Sequence, residues 1–217
     1  MTQTGKTLTR GHIMRSKEGE WASNLARMLA KLEEIKKLPT TNKGIRLHLG
    51  SGPLVLPGFI NIDKYHKNQF VFNYDMFELP FHENSVDTIY TSHALEHLPI
   101  RQANAALKNW FQVLEKGGTL YMAIPDLEEI MRIMLDPEVD EIAKWTWYVY
   151  TLFGYQITPG SSPQNEHSPV DLGQFHTGGY TKDRIRTLLE HYCGFTVKEM
   201  YNYDGWSTPS IWIEAVK

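Results

Sequence analysis

The stretch RLHLGSGPLVLPGFINID, residues 46–63, places two short apolar segments on either side of a glycine turn. Each segment has the length and composition of a buried strand, and turn-forming residues separate the two. Three segments of the same kind follow, at residues 69–72, 87–92 and 119–124. Short, almost wholly apolar strands are typical of a parallel sheet that is covered on both faces.

Segments with helical periodicity alternate with these strands. Between about residues 100 and 114 the apolar side chains recur on one side, and residues 139–153 form another aromatic-rich helical stretch. Asp126 and Glu129 have the spacing of a capping box, and Thr181 is placed to cap a helix that Gly194 ends. We expect Gly117 to end the helix before residues 119–124 in the same way.

Two further strands, residues 195–201 and 210–216, close the chain. Alternating strands and helices predict an α/β protein with a Rossmann-like, seven-stranded, mostly parallel sheet and helices on both faces. We assign residues 1–40 to an amino-terminal arm and an amphipathic helix, and residues 41–217 to the main domain. An insertion at about residues 137–180 contains a long loop and is predicted to act as a lid.

The composition excludes several classes of protein. The 217 residues are 41% hydrophobic and 22% charged, with a net charge of -3, which is typical of a globular domain and does not favour nucleic-acid binding. Cys193 is the single cysteine, so a disulfide framework is not expected. There is no apolar run long enough for a signal peptide or a membrane span, and we therefore expect a cytoplasmic protein without a membrane partner.

The glycine turn Gly50-Ser51-Gly52 directly follows the first strand, where open parallel sheets bind ligands. A dinucleotide site is disfavoured because Val55 replaces the third glycine of its fingerprint, and because the acidic residue Asp63 lies only 11 positions (63 minus 52) beyond Gly52. Asp63 follows the second strand and can accept hydrogen bonds from a ribose diol. Asp75 follows the third strand and can reach an adenine amino group. This order indicates an adenosine ligand without a pyrophosphate.

Four segments extend the pattern: LHLGSGPLVLPGFINID (47–63), YDMFELPFHENSVDTIYTSHALEHL (74–98), VLEKGGTLYMAIPD (113–126) and TKDRIRTLLEHYCGF (181–195). Together they resemble the class I S-adenosylmethionine-dependent methyltransferases, and within them the group related to the type 11 methyltransferase domain. The resemblance implies the class I methyltransferase fold, an enzyme, and S-adenosyl-L-methionine as its cofactor.

The resemblance also implies cofactor-binding residues. Gly50, Ser51 and Gly52 would wrap the methionine end of the cofactor, and Asp63 would hold the ribose. The adenine would lie between Asp75 and Met76, and His93 would stand at the edge of the cofactor; these three residues complete the predicted set. The chain departs from the family in two respects. His48 stands where many members carry an acidic or amide residue, and residues 50–58 are too short for the usual first helix.

The pentapeptide HALEH, residues 93–97, has three interpretations. It matches the inverted zincin signature, which gives a zinc-dependent hydrolase at His93, Glu96 and His97 as an alternative function. It could instead be a structural junction between a strand and a helix. The third interpretation places His93 at the cofactor site as a catalytic residue, with no metal ion, and its location makes it our first choice for the base.

We predict a small-molecule acceptor, methylated on the oxygen of a sugar, nucleotide sugar or similar hydroxylated metabolite. Its proton would pass to His93 or, as second choice, His176. Four residues of the lid and the last hairpin are assigned to substrate binding: His167, His176, Tyr180 and Trp206. A scaffold that binds the cofactor without catalysis is a further alternative. A homodimer could form through the amino-terminal helix or the segment around Trp145.

Overall fold

The computed structural model describes residues 18–37, 44–66, 68–156, 171–205 and 208–217. Seven strands form one sheet: β1 (Ile45–Leu49), β2 (Ile60–Ile62), β3 (Val71–Phe72), β4 (Val86–Ser92), β5 (Leu114–Pro125), β6 (Thr196–Gly205) and β7 (Thr208–Val216). Their order is β3-β2-β1-β4-β5-β7-β6, and β7 alone among them runs antiparallel to its neighbours. The predicted mostly parallel, seven-stranded sheet is confirmed.

The described helices are α1 (Glu18–Lys37), α2 (Ile100–Val113), α3 (Leu127–Leu135), α4 (Glu141–Ala143), α5 (Val149–Phe153) and α6 (Lys182–Thr187). A π turn, Lys144–Tyr148, joins α4 to α5, and another, Leu188–Cys193, extends α6. The predicted caps are confirmed, because Asp126 accepts hydrogen bonds from the first turn of α3 and Thr181 accepts one from Arg184 N. No helix among the described residues is long and apolar enough to cross a membrane.

Helices cover both faces of the sheet, as predicted. Alternate residues of a strand point to opposite faces, and Met122 and Ile213 pack with Trp110 of α2 in the larger core. Their strand neighbours Ala123 and Trp212 belong to a second cluster, which includes Met28 of α1. The amino-terminal helix therefore belongs to the fold of the domain itself.

The first crossover lacks a helix, as the short spacing predicted. Residues 50–59 form turns between β1 and β2. Leu56 and Phe59 from these turns pack into the cluster of α1 and cover the sheet there. The glycine turn at the tip of β1 is consequently not followed by a helix that would close over it.

Three details differ from the sequence-based predictions. Helix α2 ends at Val113, and Gly117 (φ +85°) lies within β5, where the pairing with β4 shifts register and forms a bulge. The predicted helix at 139–153 begins at Glu141 and contains the π turn. The connection between the last two strands is shorter than residues 202–209, because β6 runs to Gly205 and β7 begins at Thr208.

Candidate functional site

The tip of β1 turns through Gly50, which has φ +62°. A Cβ atom at this position would lie 2.3 Å from Ala94 Cβ and 3.7 Å from Met76 Sδ. The turn therefore needs glycine both for its left-handed backbone and for the close approach of the segment after β4. Ser51, next in the turn, is buried and donates its backbone N–H to Ile62 O of β2 at 3.1 Å.

Gly52 faces open space at the same edge of the sheet. It has φ +51°, and a Cβ built on it would meet no described atom within 4 Å beyond its chain neighbours. Its N–H donates to Asp63 Oδ2 at 2.8 Å. Bare backbone beside a carboxylate at the carboxyl ends of parallel strands fits the polar, ribose-containing end of an adenosine cofactor.

The Asp63 carboxylate organises the tip of β2 as well as the glycine turn. Besides the bond from Gly52, its Oδ1 accepts from Tyr65 N at 2.8 Å and from His66 N at 2.7 Å. A carboxylate has about four lone-pair sites, so one remains on Oδ2 for a ligand hydroxyl.

Asp75 and Met76 lie on the far side of the glycine turn. Asp75 Oδ2 pairs with Lys64 Nζ at 2.7 Å, and this hydrogen bond raises the pKa of Lys64. Met76 is held because its carbonyl accepts a hydrogen bond from Trp110 Nε1 at 2.8 Å. The predicted cofactor residues therefore converge, and Lys64 joins them although its sequence position gave no signal beyond a positive charge.

His48 does not take the place of the missing acidic residue. It is 2% exposed, and its Nδ1 lies 3.0 Å from Asn61 Oδ1 while its ring packs against Tyr90. Burial lowers the pKa of His48 to about 4, so the imidazole stays neutral. It serves the packing between β1, β2 and β4.

His93 stands at the tip of β4 with φ +51°, an uncommon conformation for a residue with a Cβ. Its backbone N–H donates to Ala123 O at 2.9 Å. On either side of the ring, Nδ1 lies 3.5 Å from Glu96 Oε1 and Nε2 lies 3.4 Å from Ser210 Oγ. The imidazole is thus fixed between the tips of β4 and β7.

A cavity of about 350 Å³ opens beside these residues. It lies between the end of β5, helices α3 and α5, and the returning lid segment 175–180. Its wall is mostly apolar, and Glu96, His176 and Tyr180 contribute polar side chains to it. Ala94, just after β4, touches the glycine turn, and Glu96, two residues further along the chain, lines the cavity. This short segment therefore lies between the cofactor crevice and the cavity.

Backbone hydrogen bonds attach the returning lid segment to the body. Phe175 forms an isolated bridge with Gly154, and His176 N donates to Phe153 O at 3.0 Å. Thr177 N and Gly178 N both donate to the carbonyl of Glu96, at 2.8 and 2.9 Å. This attachment places the His176 side chain in the cavity wall.

Glu96 and Tyr180 carry polar atoms that are buried without a hydrogen-bond partner among the described residues. They are both carboxylate oxygens of Glu96 and the hydroxyl of Tyr180. Burial alone would raise the pKa of Glu96, but the neighbouring His93, His97 and His176 outweigh it and hold the pKa below its ordinary value. Burial raises the pKa of Tyr180 to about 12, so its hydroxyl remains a donor.

The predicted acceptor residues are only partly placed. His176 and Tyr180 line the cavity, whereas His167 and Trp206 lie outside the described residues. Tyr203, which lies near Trp206 in the sequence, is buried in the cluster under α1. The sequence did not indicate that Glu96 lines the cavity. Its neighbour in space, His176, lies far from it in the sequence, at the end of the lid.

The structure also changes the residue set of the zinc alternative. Glu96, His97 and His176 each offer a ligand atom, and these atoms lie within 4.8 Å of one another. His93 is outside this group, although it neighbours Glu96. The residues of HALEH therefore do not form a three-residue zinc site without His176.

Comparisons with known proteins agree with the fold. The family described as "Methyltransferase domain" matches residues 57–122. An S-adenosylmethionine-dependent methyltransferase from Methanosarcina mazei is 15% identical, covers 82% of this chain and 94% of its own, and has a TM-score of 0.54. Magnesium protoporphyrin IX methyltransferase from Synechocystis PCC 6803, solved with bound S-adenosylhomocysteine, is 14% identical, covers 90% and 82%, and has a TM-score of 0.53. No curated protein matches the sequence.

Proposed function

We infer that this chain, which has the fold of the class I S-adenosylmethionine-dependent methyltransferases and a match to a methyltransferase domain, is an enzyme that methylates a small-molecule hydroxyl group. The observation that carries the inference is the open glycine turn at Gly52, which is hydrogen-bonded to Asp63 and lies near a mostly apolar cavity. Cofactor and acceptor sites are thereby separated by one short segment of chain.

The described residues fit S-adenosylmethionine as the cofactor. Gly50, Ser51 and Gly52 leave the backbone bare for its methionine end, and Asp63 retains one acceptor site for a ribose hydroxyl. The adenine would lie near Asp75 and Met76, with Lys64 orienting the Asp75 carboxylate. When bound, the cofactor supplies a methyl group on a sulfonium, which is already a strong electrophile.

The cavity fits a metabolite rather than a macromolecule. Its volume of about 350 Å³ is at the lower end of small-molecule sites. Its polar groups, Glu96, His176 and the unpartnered hydroxyl of Tyr180, are suited to an acceptor with several hydroxyls, such as a sugar or nucleotide sugar. His167 and Trp206 stay predicted contacts of the acceptor.

Two histidines are placed to accept the proton of the acceptor hydroxyl. His176 lines the cavity, and its Nδ1 donates to Thr151 O at 2.8 Å, which leaves a lone pair on Nε2. His93 lies at the tip of β4 beside the cofactor residues and neighbours the Glu96 carboxylate. Alignment of acceptor, methyl carbon and sulfur supplies the rest of the rate enhancement.

Incubation of the protein with S-adenosylmethionine and a panel of sugars, nucleotide sugars and other hydroxylated metabolites tests this proposal. We expect one acceptor to gain a methyl group by mass spectrometry, with one equivalent of S-adenosylhomocysteine. Loss of product in His176→Ala with unchanged cofactor binding would support the acceptor-site assignment. Methylation of amines in preference to every hydroxyl compound would contradict the O-methylation proposal, and cofactor binding without any product would favour the scaffold alternative.

A further inference from the structure

Glu96 is a buried carboxylate without a hydrogen-bond partner among the described residues, and such a group is costly. Its side chain is 1% exposed, and neither oxygen has a hydrogen bond among the described residues. An ionisable neighbour is His93, whose Nδ1 lies 3.5 Å from Oε1. An ionised carboxylate in this setting destabilises the fold unless a cation or a set of donors compensates it.

Two histidines present bare nitrogens to the same space. His97 Nδ1 lies 3.1 Å from Phe175 O, and His176 Nδ1 lies 2.8 Å from Thr151 O. A carbonyl only accepts, so each Nδ1 carries a proton, and Nε2 is the ring nitrogen left for a ligand. A backbone carbonyl that fixes the tautomer in this way is the usual companion of a metal-binding histidine.

The three side chains approach one another closely. Their ligand atoms lie within 4.8 Å of one another, and the rings of His97 and His176 are 4.7 Å apart in an edge-to-face arrangement. Zinc bonds to nitrogen and oxygen of about 2.1 Å place neighbouring ligand atoms of a tetrahedron roughly 3.4 Å apart. Side-chain adjustments of roughly 1 Å are therefore enough to form the coordination sphere.

We propose that Glu96, His97 and His176 bind one divalent transition-metal ion, with zinc as the best match to two imidazoles and a carboxylate, in the wall of the acceptor cavity. Three protein ligands leave a coordination position free, and Glu96 and His176 line the cavity. That position can hold an oxygen of the acceptor. With the metal bound, His176 Nε2 is a ligand, so the proton of the acceptor would pass to His93. The metal site stands without the proposed methyl transfer, and only its role toward the acceptor rests on that function.

Metal titration of the chelator-treated, full-length protein tests the site. We expect calorimetry with Zn²⁺ to give one equivalent bound, and Co²⁺ to develop the visible absorption of a low-coordinate nitrogen and oxygen site. Loss of an outer-shell partner costs 10 to 100-fold in metal affinity. Loss of a direct ligand in Glu96→Gln or His176→Gln should therefore weaken Zn²⁺ binding by about 100-fold or more. The control His191→Ala, an exposed histidine outside the group, should bind as wild type does.

Thermal unfolding tests the metal site without an activity measurement. It also shows whether each variant is folded, and two ligand variants are used so that the test does not depend on one of them. Zn²⁺ should raise the Tm of wild type and of His191→Ala but leave the Tm of Glu96→Gln and His176→Gln unchanged. Equal Zn²⁺ affinity in wild type and both ligand variants would overturn the metal site. If S-adenosylhomocysteine binds while Zn²⁺ does not, the metal inference falls alone; if Zn²⁺ binds while no acceptor is methylated, the proposed function falls alone.

Discussion

Single residues set the shape of the cofactor crevice. The backbone of Gly50 approaches Ala94 too closely for any side chain, and the Asp63 carboxylate ties Gly52 to the neighbouring strand. The order glycine turn, Asp63, Asp75 could be predicted from the sequence because each follows a recognisable strand. The pairing of Lys64 with Asp75 could not, because it depends on how two surface turns meet.

Asp63→Ala should weaken the binding of S-adenosylhomocysteine. The substitution removes an acceptor for the ribose and the hydrogen bond that shapes the Gly52 turn. A charged hydrogen bond of this kind contributes about 1 to 3 kcal/mol, and calorimetric titration of both proteins would measure it. Asp183→Ala, which removes an exposed carboxylate from α6, is the matched control for charge. Equal affinity in the Asp63 variant would refute the ribose assignment.

His48 should make the fold sensitive to acid. Burial lowers its pKa in the folded chain from 6.5 to about 4, so between these values the unfolded chain binds a proton that the folded chain does not. Stability therefore falls as the pH drops through this window, by roughly 3 kcal/mol in total from this residue.

Urea unfolding of wild type and His48→Gln across that pH range measures the contribution. The variant should lose less free energy of unfolding than wild type as the pH falls. Parallel pH profiles for the two proteins would show that His48 is not the responsible group.

At the level of secondary structure, the helix caps could be predicted from the sequence, but the contacts between distant segments could not. Asp126 and Thr181 begin their helices where their spacing predicted. In contrast, Gly117 was assigned to a helix end and lies in a strand bulge, because the pairing of β5 with β4 and the carboxyl terminus overrides the local preference. The proximity of Glu96 and His176 arises from the returning lid, which no local pattern encodes.

Gly154 should be critical for the lid. It has φ +77°, and a Cβ there would lie 1.8 Å from Gln174 O, so Gly154→Ala must displace the segment that carries His176. Misplacement of a positioning group by about 1 Å can cost up to 100-fold in rate. We expect turnover to fall by at least tenfold, while S-adenosylhomocysteine affinity stays unchanged.

Gly117→Ala is the control for backbone strain in that experiment. Gly117 also has a left-handed φ, +85°, but a Cβ there meets no described atom within 4 Å. Steady-state kinetics with the identified acceptor should show near-normal turnover for Gly117→Ala. Equal losses in both variants would mean that general destabilisation, rather than the lid, reduces activity.

Considered as a whole, the molecule exposes several large apolar side chains among its described residues, and two of them, Trp145 and Trp147, lie close together in the sequence. Helix α1 packs one side on its own sheet, and its part in a dimer contact stays a prediction. The other candidate for a dimer contact is the segment around Trp145, where Trp145 and Trp147 are 62% and 58% exposed. Periodicity shows that a helix has an apolar side, but it does not show whether that side meets the chain itself or another molecule.

The predicted homodimer should therefore depend on these two tryptophans. Light scattering over a range of concentrations is expected to show a dimer for wild type and a monomer for the double variant Trp145→Ser, Trp147→Ser. The double variant should be monomeric because it removes the apolar contact area that the two tryptophans would provide between the subunits. A wild-type monomer at every concentration would exclude the homodimer.

Titration of S-adenosylhomocysteine into the wild-type protein by calorimetry tests the central claim most directly. The crevice formed by the glycine turn, Asp63 and Asp75 predicts saturable binding of one ligand per chain, with adenosine alone binding more weakly because it lacks the methionine portion. Absence of binding at millimolar ligand would contradict the assignment of this edge of the sheet as a methyl-donor site.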